Sequence, residues 1–303
     1  MDFRELNYVI AIARNQSVTK ASRELYISQP TLSKFVQNLE KELGQALFKR
    51  LGNKFMLTYA GECFVEHARK ILLIKKELDR ELSDIIWKNV GDLKIAFPIM
   101  RGTYMLPCSL PVFRERFPLV KVNVHEADSS VLEDMLLRGE IDLAFFNIPV
   151  KSPNIDYEII SHEEFVLIMS PNHPMANGGI PRRGCQYQWM DLRLLKDYGF
   201  ILQKPGQRTR QVADKLFKDS GFEPNVLLSV RNIWASVQLV MNGYGLSLVS
   251  ETHLRHINPN KVKPVCFSVG NPCTTTDFVA AYRKGVYLPN YAKEYIKIVK
   301  TFT

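Results

Sequence analysis

Gln29, Thr31, Ser33 and Lys34 gather an amide, two hydroxyls and an ammonium within six residues, on what reads as the start of one helix. These are the groups that read base edges: Gln pairs bidentately with adenine, and Lys donates to guanine or to phosphate. Ser28 and Pro30 open the same segment, where a hydroxyl and the free N–H groups of a helix start suit a phosphate. Lys49, Arg50 and Lys54 crowd the hairpin that follows and would supply attraction that is independent of sequence and sensitive to salt. Three basic residues without context describe only a solvated surface. Their place on a capped pair of short helices is what makes them candidates.

The elements that must position them follow from periodicity. Phe3, Leu6, Val9, Ile10 and Ala13 recur at steps of three and four, which predicts a helix over residues 3–13. Ser17 is placed to cap a second, short helix carrying Val18, Ala21 and Leu25, ending near Tyr26. Ser28 repeats the capping logic, and Pro30 is tolerated in a first turn because its missing N–H would have been unpaired there. In this third helix Leu32, Val36, Leu39 and Leu43 share the apolar face; Gln29, Ser33, Lys34 and Gln37 lie opposite, and Gly44 ends it. Residues 46–49 and 55–58 read as two strands around a turn with Gly52 and Asn53. From 59 to 89 there is no proline, and Phe64, Ile71, Leu78 and Ile85 recur every seven residues, a seam that asks for a partner helix.

Beyond residue 91 strands and helices alternate: strands near 93–97, 121–126, 141–146, 164–170, 200–202, 226–230 and 245–249, and helices near 104–116, 131–137, 208–218, 233–241 and 290–301. This predicts α/β architecture with a mainly parallel sheet. A chain of 303 residues exceeds one ordinary core, and 46 % hydrophobic with 23 % charged residues is globular composition. The net charge of +9 favours polyanionic partners, yet residues 1–60 hold only +4 of it. The start, MDFRELNYVI, is charged at once, and no apolar run reaches the roughly 18 residues of a membrane span, so the expectation is a cytoplasmic protein without a membrane partner. Five cysteines, Cys63, Cys108, Cys185, Cys266 and Cys273, form no CxxC pattern and are expected as reduced, mostly buried thiols. A thiol-based signal through Cys266 and Cys273 is the alternative reading, and their spacing alone gives it little support. No GxSxG, HExxH, GxGxxG or P-loop pattern occurs, so no enzyme, metal site or cofactor is expected.

Residues 17–50, SVTKASRELYISQPTLSKFVQNLEKELGQALFKR, resemble the helix-turn-helix of LysR-type transcriptional regulators. The run Ser28, Gln29, Pro30, Leu32, Ser33, Leu39, Glu40, Leu43, Gly44, Leu47 and Phe48 carries the match, which continues through Leu57, Thr58, Ala60 and Gly61. It extends more loosely along the rest of the chain, with landmarks at His173, Pro174, Ala176, Gly243 and Gly245. Phe35 departs from the pattern, which more often has a polar residue there, and Leu51 stands where a second wing cation is common.

The resemblance implies a winged helix-turn-helix over 1–58, a linker and dimerisation helix over 59–90, and an effector domain over 91–303 similar to a type 2 periplasmic binding protein. Its lobes would comprise 91–162 with 267–303, and 163–266. Double-stranded DNA, a small-molecule effector, further copies of the chain as a dimer of dimers, and RNA polymerase are the implied partners. Ligands in such folds sit at strand C-termini and helix N-termini, where free N–H groups favour anions. On that rule Arg101, Gly102 and Thr103 follow the first strand, Ser129 and Ser130 precede a helix, and Asn147 follows the third strand. Gln203, Lys204 and Asn232 would face them from the second lobe. Arg101 with Lys204 would suit a carboxylate, so the expected effector is anionic.

Overall fold

The computed structural model describes residues 2–52, 54–86, 89–255 and 263–303, except for the side chains of 80 and 83–86. The chain forms two compact units, residues 1–86 and 87–303. In the first, helices α1 (Phe3–Asn15), α2 (Val18–Glu24) and α3 (Gln29–Leu43) precede strands β1 (Phe48–Leu51) and β2 (Lys54–Leu57) and the long helix α4 (Tyr59–Ile86). Each start has a chemical cause. Asp2 forms a reciprocal capping box with Glu5, Ser17 accepts from the Lys20 N–H, and Ser28 accepts from the Thr31 N–H. Gly44 ends α3 at φ 66°, a conformation that costs glycine nothing. Val9, Ile12, Leu32, Val36, Leu39, Leu47 and Val65 fill one core among these elements.

The hairpin begins two residues later than its sequence pattern suggests. Ala46 and Leu47 are held outside the ladder, because the Glu40 carboxylate accepts the Leu47 and Phe48 N–H groups at 2.7 and 2.9 Å. Thr58 donates its hydroxyl to the Ala46 carbonyl, and the Thr58 N–H donates to the Leu47 carbonyl. Asn53, expected in the turn, lies outside the described residues, as does the side chain of Ile85. Along α4 Val65 and Ala68 are buried and Phe64 packs against the core, whereas Ile71, Ile74, Leu78 and Leu82 form an exposed apolar row.

The second unit contains β3 (Gly91–Phe97), α5 (Ile99–Arg116), β4 (Val120–Glu126), α6 (Ser129–Leu137), β5 (Leu143–Asn147) and β6 (Ile155–Met169). There follow β7 (Gly199–Gln203), α7 (Arg208–Asp219), β8 (Asn225–Val230), α8 (Ile233–Met241), β9 (Ser247–Ser250), α9 (Thr252–Arg255), β10 (Val265–Ser268), β11 (Thr275–Arg283) and α10 (Asn290–Lys300). Strand β3 pairs parallel with β4 and β5, and β7 with β8, as the alternation predicts. The sheet is nevertheless mixed: β6 and β11 run antiparallel to each other over nine register positions, and β9 and β10 join β6 antiparallel. Long crossing strands cause this. The first half of β6 lies in one lobe and its second half in the other, so two core clusters flank each half. Phe97, Phe113, Phe145 and Tyr295, with Leu132, Phe146 and Val279, fill the first lobe; Leu167, Phe200 and Phe217, with Ile201, Val237 and Val249, fill the second.

Two further corrections concern sites. Helix α5 starts at Ile99 rather than near Tyr104 and tolerates Pro107 and Pro111, so Arg101, Gly102 and Thr103 are helical instead of lying in a loop. Cys185 and Cys273 are joined by a disulfide, so the expectation of five reduced thiols is overturned at this pair. Eighty-eight residues separate them in sequence. Cys273 therefore has Cys185 as its partner, not Cys266, which sits in β10 with its thiol pushed up to about 12 by burial and by the Glu251 charge.

Candidate functional site

In the first unit α3 presents Ser28, Gln29, Pro30, Thr31 and Lys34 to solvent and keeps Leu32, Val36 and Leu39 inside. The Ser28 and Thr31 hydroxyls lie 2.7 Å apart, and the Gln29 amide donates to the half-buried Ser33 hydroxyl at 2.9 Å. Each of these polar groups is thus pre-oriented by a neighbour one helical turn away. On the hairpin Lys49, Arg50 and Lys54 are exposed, Arg50 opposite Phe55 with its guanidinium 5.9 Å from the ring centre. Gln29, Ser33, Arg50 and Lys54 line one concave surface, joined by Gln16, Ser17, Thr19 and Gln37. Lys34 and Lys49 lie outside that surface, on exposed flanks.

Gln16 and Thr19 were not singled out from sequence; Gln16 terminates α1 in a left-handed conformation, and its carbonyl accepts the Phe55 N–H. Phe35, the departure in the helix, does not face the groove: its ring packs edge-on against Tyr8 with centres 5.3 Å apart. Gly61 permits the close approach of α4 to the hairpin, since a Cβ there would collide with the Leu47 carbonyl oxygen.

In the second unit a cavity of about 250 Å3 is lined from both lobes. Four helix starts meet at it: Ile99 and Met100 of α5, Asp128 and Ser129 of α6, Gln207 and Thr209 of α7, and Asn232 and Ile233 of α8. The N-cap residues of α5, α6 and α7 make no side-chain capping bond, so their first N–H groups are left for another acceptor. Of the sequence candidates, Ser129, Asn147, Asn232 and Arg101 line the cavity. Gly102, Thr103, Ser130, Gln203 and Lys204 are not among its lining residues. Gly102 is packed where a Cβ would stand 2.7 Å from Glu126, and Thr103 returns its hydroxyl to the Ile99 carbonyl. Ser130 and Lys204 are exposed, and Gln203 is fully buried with neither amide atom hydrogen-bonded among the described residues.

Arg101 is already occupied. Its guanidinium donates to both Glu163 carboxylate oxygens at 2.7 and 2.8 Å, to Asn147 at 2.9 Å and to Thr252 at 3.1 Å, and lies 4.0 Å from the centre of the Phe278 ring. Burial works against both charges, yet each outweighs that penalty for its partner: Arg101 is driven further up, and Glu163 is held below the ordinary carboxylate range. The same burial pushes the Tyr104 hydroxyl up to about 12. Arg208, missed from sequence, is spent likewise: it reaches from α7 to Glu133 and to the Asn147 and Pro149 carbonyls, over the Phe146 ring. Burial lowers its pKa more than the Glu133 charge raises it. Arg231 lies at the mouth, 3.4 Å from Asp128 and largely exposed. Thr209 and Ser250 obey the rule of helix starts and strand ends; His253 and Thr276 reach the cavity with no sequence signal.

Residues 3–62 match the bacterial regulatory helix-turn-helix protein, lysR family, and residues 88–302 match the LysR substrate binding domain. The chain is 31 % identical over 303 residues to the uncharacterized HTH-type transcriptional regulator YwbI of Bacillus subtilis (strain 168), covering 100 % of this chain and 97 % of that one. Among solved structures, a full-length single-substitution variant of OxyR from Pseudomonas aeruginosa is similar with a TM-score of 0.73 at 22 % identity, covering 99 % of this chain and 94 % of that one. Full-length CbnR in complex with its target DNA is similar at 0.63 and 24 % identity, each chain covered fully. Both share the fold, and among the described residues no helix is long and apolar enough to cross a membrane. The chain belongs to the LysR family of helix-turn-helix transcriptional regulators.

Proposed function

We propose that this LysR-type regulator reads operator DNA with Gln29, Thr31, Ser33 and Lys34 while Ser28, Lys49, Arg50 and Lys54 hold the phosphates, and that a small anionic metabolite controls it from the cavity between the lobes. The observation that carries the ligand half is the meeting of four helix N-termini at one cavity lined from both lobes. The uncapped first-turn N–H groups of α5, α6 and α7, and the positive dipole end of each helix start, favour an anion. Neither Arg101, whose charge Glu163 takes up, nor Lys204, which does not line the cavity, is left to pair with it. A volume of about 250 Å3 falls below the roughly 300–1,000 Å3 of drug-sized sites, which suits a metabolite of a few carbons. Arg208–Glu133 joins α7 to α6, and Arg231–Asp128 joins the link before α8 to the N-cap of α6, so a ligand that favours one spacing of the lobes shifts that equilibrium.

Pairing of two chains along the exposed row of α4, further association as a dimer of dimers and contact with RNA polymerase belong to the same reading. Calorimetry of the full chain against mono- and dicarboxylates, phosphoesters and neutral analogues tests it. Anions should bind, and Ser129→Ala or Asn232→Ala should weaken them about tenfold, the loss of one hydrogen bond of about 1–1.5 kcal/mol. Tight binding by neutral ligands alone would remove the anionic part.

A further inference from the structure

Cys185, Cys273 and Glu164 bring their ligand atoms within 4.8 Å of one another, a grouping unrelated to the DNA face or to the cavity between the lobes. Each comes from a different place: Glu164 from the middle of crossing strand β6, Cys185 from the loop between β6 and β7, and Cys273 from the turn between β10 and β11. The Cα atoms of the two cysteines are 5.7 Å apart, a separation that serves either a disulfide or two thiolates on one ion.

The carboxylate decides between a plain crosslink and something more. Glu164 is buried, and its Oε2 accepts the Gln186 N–H at 2.9 Å, but its buried Oε1 has no hydrogen-bond partner among the described residues. A carboxylate oxygen withdrawn from water and left beside two electron-rich sulfurs is costly, and a disulfide gives it nothing to accept from. A cation between the three groups removes that cost. Cys273 also lines an open cleft of about 700 Å3, which gives this side of the group access from solvent.

We propose that the reduced chain binds one zinc-class divalent cation through the Cys185 and Cys273 thiolates and Glu164 Oε1, with the fourth position open to water. Two thiolates and one carboxylate suit a borderline-soft, tetrahedral ion, and three protein ligands with an open position is a recurring zinc arrangement. The disulfide and the metal centre exclude each other. Two equivalents of a low-molecular-weight thiol, or one of a dithiol, reduce the disulfide by two electrons and two protons and become a disulfide themselves. The cation then displaces both thiol protons as it binds. In either state the β6–β7 loop is tied to the β10–β11 turn, but only the metal state engages Glu164 Oε1.

The test titrates cobalt(II) into the full-length chain, reduced by a phosphine and freed of metal. One equivalent should give thiolate-to-cobalt charge-transfer absorption and the strong visible bands of a tetrahedral centre, bleached by one equivalent of zinc. The oxidised chain should give no such bands. Cys185→Ser and Cys273→Ser should each abolish them and weaken zinc at least about 100-fold, while Glu164→Gln keeps a thiolate band and weakens zinc about 10–100-fold. Alkylation of the unmutated reduced chain with peptide mapping covers the case of variants that do not fold: zinc should protect Cys185 and Cys273 and leave Cys63 reactive. A reduced chain that shows no band at micromolar cobalt, or bands that survive both cysteine substitutions, would overturn the proposal.

Discussion

Replacing Glu163 by Gln isolates the interaction that fastens α5 to the crossing strand. Arg101 and Glu163 are 2 % and 0 % exposed, and the guanidinium makes two parallel bonds to the carboxylate. A carboxamide offers one acceptor where two stood and leaves the Arg101 charge buried without a counter-charge. Removal of one partner from such a pair costs about 3–5 kcal/mol. For a unit of this size that corresponds to a fall of roughly 1–2 M in the urea midpoint, with the slope unchanged. The double change Arg101→Met with Glu163→Leu removes both charges and should recover most of the loss, because an apolar pair of similar volume often matches a buried ion pair. The pH dependence has a definite sign. The Glu163 pKa is lowered in the folded chain from its ordinary 4.5, so its contribution is complete above 4.5 and is lost as pH falls through the folded value. Wild type should therefore lose stability below that point more steeply than Glu163→Gln. A cost of Glu163→Gln under about 1 kcal/mol, or a double variant less stable than Glu163→Gln, would refute the reasoning.

On the DNA side, Arg50→Ala with Lys54→Ala should lower the slope of log K against log salt by about 1.8 in fluorescence anisotropy, if each cation neutralises one phosphate. Gln29→Ala should leave that slope alone and reduce discrimination for the operator by about 1–3 kcal/mol; equal effects of both changes on the slope would contradict the assignment. Gly61→Ala, ordinarily favourable within a helix by about 1 kcal/mol, should instead destabilise the first unit by about 1–3 kcal/mol in thermal denaturation, because the new Cβ meets a backbone carbonyl. Ile74→Glu with Leu78→Glu, both on the exposed row of α4, should shift sedimentation towards the single chain; an unchanged sedimentation coefficient would place the contact between copies elsewhere.

The part of the molecule legible in its sequence is the part built from local rules. Ser17, Ser28 and Gly44 stand at helix ends because capping involves residues within one turn, and the apolar spacing of α3 fixes which side faces out. The helix starts at Ser129 and Asn232 reach the cavity for the same reason. What sequence hid is set by pairings at long range. Strand β11 has no alternation that names its neighbours, yet its antiparallel register with β6 makes the sheet mixed. Arg208 reads as an ordinary helix-start cation until Glu133, 75 residues away, is placed beside it. Cys185 and Cys273 lack a spacing motif because the turn after β10 and the loop after β6 meet only in the fold. Arg101 lines the cavity, but the early start of α5 and the Glu163 carboxylate that takes up its charge, 62 residues away, have no signature in the sequence.

Genome-wide mapping of the DNA bound by the full-length chain, beside a variant carrying Gln29→Ala and Lys34→Ala, tests the central claim most directly. The account predicts sharp sites that share an imperfect inverted repeat, with half-sites about one helical turn apart, and their loss in the variant. Wild-type chain that enriches no sequence at any salt concentration, or a variant that keeps every site, would contradict it.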